Sequence, residues 1–520
     1  MESPSHIPAD EIIPADSTGG QVEGPTASGG RPLSLRQQVG LVLGPLLFLA
    51  LVFWGGPADL PTAGRMVIAS VAWIATWWIS EAIPIAVTSL LPLVLFPLTG
   101  ALSIQAAAAP YANPNVFLFL GGFIIAVCIE RHGLHRRLAL TIIAAVGTSP
   151  SRLILGFMAS TAFLSMWISN TATTMMITPI GLAVILELAR LIQAEGIEGI
   201  DVRQGQFAFG TCLMLSIAYS ASIGGIATLI GTPPNIVFAG IAQEMFGVSI
   251  GFGQWMAYGL PISLVMLVVA WLYMTRVAYP SKLRHLPGGR ELMRGQLREL
   301  GPMSRAEKAV AAIFGGVALA WITRSLFLEA VFPMLTDAGI AVIGAVVTFL
   351  VPVDLRRGEF LNDWETASRL PWGILLLFGG GLSLAGAVQQ TGLADWLGAR
   401  LAVLQGLPPL LVLLAVIGAV IFLTEMTSNI ATTSMTLPIM AAMAAGMGIH
   451  PFLLMIGTAT AASCAFMLPV ATPPNAVVFS SGYVTIPEMA KAGLALNLIS
   501  IVLITLAARY WLPLVWGISW

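Results

Sequence analysis

The chain has 520 residues, of which 57% are hydrophobic and 9% are charged, and its formal net charge is −1. A soluble protein carries roughly 25% charged residues, because most of its surface faces water. With about a third of that proportion, this chain must face lipid over most of its area. The composition therefore excludes a soluble multi-domain enzyme and a disordered or collagen-like chain.

Residues 1–35 are acidic, rich in Pro, Gly and Ser, and free of aromatic residues. This composition cannot bury a core, so it predicts a disordered tail that stays in the cytoplasm. The tail is not a signal peptide, because no basic start leads into an apolar run.

Apolar runs of spanning length follow from residue 36 onward, and a helical span needs ~20 residues. They predict an all-α polytopic membrane protein with about 11 transmembrane helices, near 38–56, 64–80, 83–99, 114–130, 207–245 (interrupted), 255–276, 309–326, 338–353, 372–390, 450–482 (interrupted) and 490–514. Two further apolar stretches, 152–189 and 408–444, have polar centres. We expect these to be re-entrant helical hairpins whose tips lie near the middle of the bilayer and line a cavity.

The basic residues test this topology. With the N-terminus inside, only Arg65, Arg324, Arg400 and Arg509 of the 24 Lys and Arg residues fall on the outer side. This distribution follows the positive-inside rule. It predicts a multi-pass protein of the inner (plasma) membrane with a cytoplasmic N-terminus.

Cysteine and histidine give no sign of a metal site. Cys128, Cys212 and Cys464 lie in separate apolar runs and form no C-x-x-C pair, and no histidine belongs to an H-E-x-x-H motif. We therefore expect no disulfide framework, zinc site or metalloprotease centre.

An internal repeat relates the two halves of the chain. The segment FLFLGG around Gly121 matches LLLFGGG around Gly380, 259 residues later. The same offset places SNTATTMMITPI, which starts at Ser169, on SNIATTSMTLPI, which starts at Ser428, and GTPPNIVF matches ATPPNAVVF further on. In the predicted topology one copy begins outside and the other inside. The repeat is therefore inverted, as in many secondary transporters.

Each copy pairs a Ser-Asn tip with a helix that Thr-Pro-Pro-Asn interrupts. Proline removes a backbone donor and disfavours a helix in the preceding residue, so two prolines in mid-membrane break the helix. The break frees carbonyl oxygens, which suit a small hard cation, and starts a half-helix whose N–H groups suit an anion. The repeat therefore predicts two half-sites, each for a cation and an anion.

Hydroxyl and amide side chains surround each predicted tip. Ser165 and Ser169 are four residues apart on one helical face, beside Asn170. Thr424 and Asn429 occupy similar places in the second copy. Neither motif contains Arg or Lys, so amides, hydroxyls, helix dipoles and bound cations must offset the charge of an anion. Cation-coupled transport follows naturally from such a site.

Two acidic residues are weaker candidates. Glu425 lies beside the second tip, and a carboxylate inside the membrane is a functional candidate unless it is a buried group bonded to the backbone. Glu81 ends a span, where an interfacial charge is the simpler interpretation.

From about residue 39 to the C-terminus, the chain resembles the divalent anion:sodium symporter family, the sodium-coupled dicarboxylate and citrate carriers. The resemblance lies in SNTATTMMITPI, IGGIATLIGTPPN, TEMTSNIATTSMTLPI and SCAFMLPVATPPNAVVF. It implies a homodimer in which a scaffold domain stays still while a transport domain carries the site across the bilayer in an elevator motion. It also implies sodium as the co-transported ion, about two or more per cycle, no organic cofactor and no nucleic-acid partner.

The resemblance further implies the site residues. One sodium ion at each hairpin is expected, held by Ser165, Ser169, Asn170 and Gly231 in the first site and by Thr424, Thr427, Asn429 and Ala471 in the second. The substrate carboxylates are expected at Asn170, Thr171, Thr232, Pro233, Asn429, Thr472 and Pro473. The expected organisation is a tail at 1–35, scaffold helices at 36–140 and 309–400, transport-domain halves at 150–280 and 405–520, and a basic cytoplasmic loop at 281–308.

The predicted function is sodium-coupled symport of C4-dicarboxylates such as succinate, malate and fumarate. Ile430 stands where the family pattern has Thr after the second Ser-Asn, so a hydroxyl that could bond a carboxylate is missing. A sulfate or citrate carrier and a sodium-independent dicarboxylate exchanger on the same fold therefore stay open. An anion channel is less favoured, since paired tips predict an occluded site rather than a continuous polar pore.

Overall fold

A computed structural model describes residues 33–147, 149–196, 199–280 and 295–518. These ranges are mostly helical, and two short strands, Pro352–Asp354 and Glu359–Phe360, pair antiparallel. The predicted disordered tail lies outside the described residues except for its last three, and so does the part of the basic loop from 281 to 294.

The first half of the chain forms helices that alternate with short connections. Its α-helices are Leu35–Trp54, Thr62–Ser80, Ile85–Thr88, Pro92–Leu98, Ile104–Ala108, Pro114–Arg131, Leu134–Val146, Pro150–Ser165, Asn170–Ala194, Ala208–Gly225, Pro233–Phe246 and Phe252–Tyr273, with a 3-10 turn at Ala109–Ala112 and a π-helical turn at Met274–Ala278. Ser34, Ser103 and Ser169 each accept an N–H from the first turn of the helix that follows. Such caps satisfy donors that would otherwise lack a partner at a helix start.

The second half has a similar succession of helices. Its α-helices are Arg305–Thr323, Glu329–Val331, Asp337–Leu350, Trp364–Ser368, Trp372–Gln390, Leu393–Leu401, Pro409–Thr424, Asn429–Met447, Pro451–Ala461, Pro473–Phe479, Ile486–Leu506 and Leu512–Trp516, with π-helical turns at Arg324–Leu328 and Ala507–Trp511 and a 3-10 turn at Ala402–Gly406. Ser304 caps the first of them together with Glu307. Thr485 and Glu488 form the same kind of reciprocal cap further on.

Nine helices in the described ranges are long and apolar enough to cross a membrane. Seven coincide with predicted spans, and the other two, Asn170–Ala194 and Asn429–Met447, are second arms of the predicted re-entrant stretches. The mostly helical, multi-pass architecture is therefore confirmed. The number of about 11 spans stays a prediction.

The apolar run at 83–99 is not the single straight span that we expected. It forms two short helices, Ile85–Thr88 and Pro92–Leu98, joined by hydrogen-bonded turns, and the whole segment Ile85–Leu98 is shorter than a span. Proline at the first position of the second helix has no N–H to continue the preceding turn. Ser89, in the turn between them, packs against Gly380 of the helix Trp372–Gln390, which we name the second repeat helix.

The first repeat helix, Pro114–Arg131, packs closely on two sides. A Cβ at Gly121 would overlap Ala341, whereas a Cβ at Gly122 would meet the side chain of Ile230 in ordinary contact. Glycine at the first position therefore permits close helix packing. The second position brings this helix beside the segment that carries the Thr-Pro-Pro-Asn motif.

Two helical hairpins correspond to the predicted re-entrant stretches. The first hairpin joins Pro150–Ser165 to Asn170–Ala194, and the second joins Pro409–Thr424 to Asn429–Met447. The chain enters the second hairpin from the segment Leu393–Gly406, through a bend of 119°. Four residues without regular helix form each tip.

Two interrupted helices accompany the hairpins. The first break, 226–232, separates Ala208–Gly225 from Pro233–Phe246, and the second break, 462–472, separates Pro451–Ala461 from Pro473–Phe479. Each later half-helix begins at a proline of the Thr-Pro-Pro-Asn motif, as the sequence predicts.

Ion pairs fasten both ends of the helix Arg305–Thr323. Arg137 Nε lies 2.9 Å from Glu307 Oε1 near its start, and Arg324 Nε lies 2.6 Å from Asp337 Oδ1 just beyond its end. Both pairs are largely buried. Their arginines are predicted to lie on opposite sides of the membrane, which fits a helix that crosses it.

Candidate substrate and cation site

A cavity of ≈ 320 Å³ lies between the two hairpin tips, the two breaks and the repeat helices. Most of the predicted site residues line it: Ser169, Asn170, Thr171, Gly231, Thr232, Pro233, Thr427, Asn429, Ala471, Thr472 and Pro473. Ser165 and Thr424 end the first arms of the hairpins and are fully buried behind the cavity wall. The structure therefore gathers every predicted residue at one place.

Oxygen atoms converge at the first tip. Ser165 Oγ lies 2.5 Å from Asn170 Oδ1 and 2.7 Å from the carbonyl oxygen of Ala221. With the Asn170 amide rotated, its nitrogen would lie 3.2 Å from the carbonyl oxygens of both Gly231 and Ala221. We name these four residues the first oxygen cluster. It offers the uncharged oxygen ligands that a small hard cation takes from hydroxyls, amides and unwound backbone.

Glycine allows the first break to approach the tip. A Cβ at Gly225 would lie 2.7 Å from Asn170 Oδ1 and 3.1 Å from the Gly231 carbonyl oxygen. A Cβ at Gly231 would lie 3.0 Å from the Ser165 carbonyl oxygen. The distance of 2.7 Å is too short for a real Cβ and the other two are unusually tight, so glycine at these positions keeps space open among the oxygens.

Buried asparagines hold both breaks in shape. Asn235 Nδ2 donates to the carbonyl oxygens of Gly225 at 3.0 Å and of Thr228 at 2.7 Å. Asn475 Nδ2 donates in the same way to Ala465 at 3.1 Å and to Leu468 at 3.0 Å. The last residue of each Thr-Pro-Pro-Asn motif thus satisfies carbonyls that the interrupted helix leaves free.

The second tip repeats the arrangement with small differences. Thr424 Oγ1 lies 2.7 Å from Asn429 Oδ1 and 3.1 Å from the carbonyl oxygen of Ala462. We name these three residues the second oxygen cluster. Ala471 takes the place that Gly231 has in the first copy, so this cluster accommodates a methyl group nearby.

Two predicted ligands have hydroxyls that are already bonded inside their hairpins. Ser169 Oγ accepts the N–H of Ala172 at 3.2 Å. Thr427 Oγ1 donates to the Leu423 carbonyl at 2.9 Å and lies 2.6 Å from Thr432 Oγ1. The hydroxyls of both predicted ligands thus already have partners within their own hairpins.

Glu425 lies at the second tip but does not line the cavity. Its carboxylate accepts the backbone N–H groups of Phe466 at 2.7 Å, Met467 at 2.9 Å and Leu468 at 3.1 Å, and the Asn497 amide at 2.8 Å. The side chain therefore binds the second break from behind. Its role is to position backbone rather than to contact substrate.

Helix N-termini surround the cavity. The helices that begin at Asn170, Pro233 and Asn429 place their first residues in its wall, and so does the short helix from Pro473. Backbone N–H groups and the helix dipole attract anions to the starts at Asn170 and Asn429, whereas the starts at Pro233 and Pro473 lack an N–H and contribute the dipole alone. No Lys or Arg is among the described residues of the wall. The cavity thus combines neutral cation ligands with an anion site that has no positively charged side chain among its described residues.

The family of the chain follows from a comparison with known families. Residues 36–517 match the model of the sodium:sulfate symporter transmembrane region. The chain belongs to the divalent anion:sodium symporter family. It is therefore a multi-pass plasma-membrane transporter that depends on sodium, and not an enzyme.

Individual relatives agree with this assignment. The sodium-dependent dicarboxylate transporter SdcS of Staphylococcus aureus strain USA300 is 47% identical over 492 residues, which are 94% of each chain, and SdcS of strain MRSA252 is equally similar. Among solved structures, Neisseria gonorrhoeae MtrF is 14% identical with a TM-score of 0.54, over 92% of this chain and 96% of MtrF. The Alcanivorax borkumensis YdaH transporter is 11% identical with a TM-score of 0.55, over 92% and 99%. At these identities the two structures share the fold alone.

Sequence reasoning missed the residues that the repeat helices bring to this transporter's cavity. Phe119 and Phe123 of the first repeat helix and Ile374 of the second line the wall, together with Glu81. Phe119 lies inside the repeated FLFLGG segment, so the repeat itself was a usable signal. Glu81 was interpreted from the sequence as an interfacial charge, because it belongs to no repeated motif and no spacing connects it with the tips.

Proposed function

We propose that this transporter carries C4-dicarboxylates such as succinate, malate and fumarate into the cell together with sodium. The observation that carries the proposal is one cavity that joins two uncharged oxygen clusters to several helix N-termini, with no Lys or Arg among the described residues of its wall. A dianion buried without a countercharge is strongly disfavoured. Bound cations offset that cost, which makes substrate binding depend on them. The name of the 47% identical relative agrees in both ion and substrate class.

Sodium binds at the two tips in this proposal. The first site consists of Ser165, Ser169, Asn170 and Gly231, and the second of Thr424, Thr427, Asn429 and Ala471. The first oxygen cluster supports this assignment, because its groups are neutral and linked by short polar contacts, with Ser165 buried and Asn170 half-buried at the cavity wall. Two ions would together neutralise a dicarboxylate.

The substrate spans the cavity between the two half-sites. One carboxylate meets Asn170, Thr171, Thr232 and Pro233, and the other meets Asn429, Thr472 and Pro473. The helix starts at Asn170 and Asn429 supply N–H groups and dipoles to the substrate, whereas Pro233 and Pro473 have no N–H and supply the helix dipole alone. A four-carbon dicarboxylate has acidic groups at both ends, as two facing half-sites require.

The wider architecture is also part of the proposal. The N-terminus is cytoplasmic, and about 11 spans and two re-entrant hairpins form an inverted repeat in each subunit of a homodimer. Scaffold helices at 36–140 and 309–400 stay fixed, while the halves at 150–280 and 405–520 move the site in an elevator motion. The distribution of basic residues and the equivalent contacts at the two tips support it.

The direct test is uptake of labelled succinate into proteoliposomes that contain the purified transporter. We expect saturable uptake under an inward sodium gradient and none under an equal potassium gradient. The Asn170→Ala and Asn429→Ala variants should each lose uptake while they remain folded, because each removes the amide at the centre of a cluster.

Other outcomes would contradict the proposal in different ways. Succinate uptake without sodium, seen only in liposomes preloaded with dicarboxylate, would indicate an exchanger. Flux that does not saturate would indicate a channel. Wild-type uptake in either folded asparagine variant would contradict the site assignment.

Ile430 favours a second candidate substrate class. It lines the cavity with an apolar side chain where the related pattern has a hydroxyl. Without this hydroxyl donor the second half-site binds a carboxylate less strongly, so sulfate or citrate is the alternative substrate. Sodium-dependent sulfate or citrate uptake in the absence of succinate uptake would establish it.

A further inference from the structure

Glu81 meets the cavity in an unusual backbone conformation. It follows the helix Thr62–Ser80 with φ 51° and ψ 39°, and it is the one non-glycine residue with positive φ in the described part of the chain. A side chain with a Cβ adopts this left-handed region at a cost, which glycine avoids. Strain of this kind clusters at functional sites when the surroundings hold it in place.

Two residues in the first turn of the helix Leu35–Trp54 hold Glu81 in place. Arg36 lies 3.3 Å from the Glu81 carboxylate, and Gln37 Nε2 donates to the Glu81 carbonyl at 3.1 Å. A Cβ at Gly40 would overlap Ser80, so the two helices are in close contact here. The residue is therefore fixed at the cavity edge, with its side chain about half exposed.

Glu81 carries a negative charge, as the dicarboxylate cargo does, so the two repel each other. Glu81 is the one acidic residue of the cavity wall in the described ranges, and a dicarboxylate in the cavity meets a carboxylate of the same sign. Arg36 reduces this repulsion through its ion pair. We propose that Glu81 weakens dicarboxylate binding from the cytoplasmic side and so favours substrate release, and that Arg36 sets the strength of this effect.

The repulsion by Glu81 acts on substrate binding only from the cytoplasmic side of the membrane. Glu81 lies in a scaffold helix region at the predicted cytoplasmic end, whereas the half-sites lie on the hairpins and breaks. In the outward-facing state of an elevator, the half-sites move away from Glu81. This inference rests on the proposed elevator and orientation, and it goes beyond them by assigning a side-specific role to an ion pair.

The test compares substrate affinity on the two sides. Whole cells report the external KM for succinate, and inverted membrane vesicles report the cytoplasmic KM, each with a sodium gradient directed inward. For Glu81→Gln we expect a cytoplasmic KM that falls about two- to five-fold, the size of effect typical of half-exposed charge pairs. For Arg36→Gln we expect the cytoplasmic KM to rise by a similar factor. The external KM should stay unchanged in both.

Two controls separate charge from structure. Glu81→Asp keeps the charge and should retain the wild-type cytoplasmic KM. Glu365→Gln removes a carboxylate of an exposed pair with Arg369, away from the cavity, and should change neither KM. The opposite signs for Glu81→Gln and Arg36→Gln are decisive, because loss of a merely structural ion pair would change both in the same direction.

Several outcomes would overturn the inference. They are an unchanged cytoplasmic KM in Glu81→Gln, the same direction of change in both variants, or an equal change on the external side. Each can occur while the wild type transports succinate with sodium, which leaves the proposed function intact. Absence of sodium-dependent succinate flux in the wild type would instead contradict the proposed function.

Discussion

Residues at each hairpin tip suit a cation site because they are small or uncharged. The first oxygen cluster brings a hydroxyl, an amide and two carbonyls together, and Gly225 leaves the space among them open. Neutral oxygens can bind a cation without the desolvation cost of an additional buried charge. Substitution of single residues in this cluster can therefore test whether the space holds an ion.

Gly225→Ala should impair the first cation site. The new methyl group would lie 2.7 Å from Asn170 Oδ1, so the oxygens must separate. We expect the sodium concentration for half-maximal succinate uptake to rise by about ten-fold, equivalent to the loss of one charged-group hydrogen bond. Gly315→Ala is the matched control, because a Cβ there has nothing within 4 Å. An unchanged sodium dependence in a folded Gly225→Ala protein would contradict the assignment.

Ile430→Thr should change substrate preference. The new hydroxyl would stand in the cavity wall beside Asn429 and offer a donor to a carboxylate. We expect succinate uptake to increase relative to sulfate uptake by about ten-fold, since one hydrogen bond to a charged group contributes about 1.5–3 kcal/mol. Competition between the two anions measures this ratio. An identical ratio in variant and wild type would show that position 430 does not contact substrate.

The residues of the site could be predicted from sequence because they belong to motifs that occur twice. The Ser-Asn tips and Thr-Pro-Pro-Asn breaks indicated the tip and break positions that line the cavity. Glu81 and Ile374 were not predictable in this way. They reach the cavity only through the packing of distant helices, which no local pattern encodes.

Hairpins and broken helices are the elements that shape the site, and the second break depends on Glu425. Three successive N–H groups of the break, from Phe466 to Leu468, point at this one carboxylate. The first copy has Met166 at the matching position and uses a hydroxyl instead, since Thr228 Oγ1 accepts the N–H of Gly231 at 3.0 Å. Equivalent breaks are thus stabilised by different groups.

Glu425→Gln should destabilise the fold around the second break. A neutral amide presents its own N–H groups to the surrounding donors, so at least one buried N–H loses its partner at a cost of about 1–3 kcal/mol. We expect a lower Tm for the purified protein in detergent, together with reduced transport. Glu365→Gln, in an exposed pair, is the control and should leave the Tm unchanged. An unaltered Tm in Glu425→Gln would show that these bonds are dispensable.

Helical elements were predicted correctly where the length of an apolar segment and the position of its polar residues indicated the same structure. The prediction was wrong where packing against distant helices determines the structure. The hairpins and breaks were predicted from polar centres and paired prolines. The segment 83–99 is apolar enough for a span, but Pro92 starts a new helix and Ser89 packs against Gly380. The role of Glu425 was equally hidden, because its partners lie 41 to 72 residues away.

The whole molecule is proposed to work by moving the hairpins past the repeat helices. Gly122 of the first repeat helix faces Ile230 of the first break, and a Cβ at Gly122 would lie 3.9 Å from the Ile230 Cβ. This separation suits a disulfide, whose Cβ atoms are about 3.5–4.5 Å apart. A crosslink between these positions would join the proposed scaffold to the proposed transport domain.

The double variant Gly122→Cys with Ile230→Cys should therefore stop transport when oxidised. We expect succinate uptake to fall to background with an oxidant and to recover with a reductant, whereas each single variant should be insensitive. Cys128, Cys212 and Cys464 are buried and should not interfere. A crosslinked protein that still transports would contradict the relative motion of the two parts.

The central claim is that bound sodium supplies the positive charge that the dicarboxylate site itself lacks. Equilibrium binding of labelled succinate to the purified transporter tests it most directly, in sodium chloride and in potassium chloride of equal ionic strength. The account predicts saturable binding in sodium and no measurable binding in potassium. Equal affinity in the two salts would contradict it.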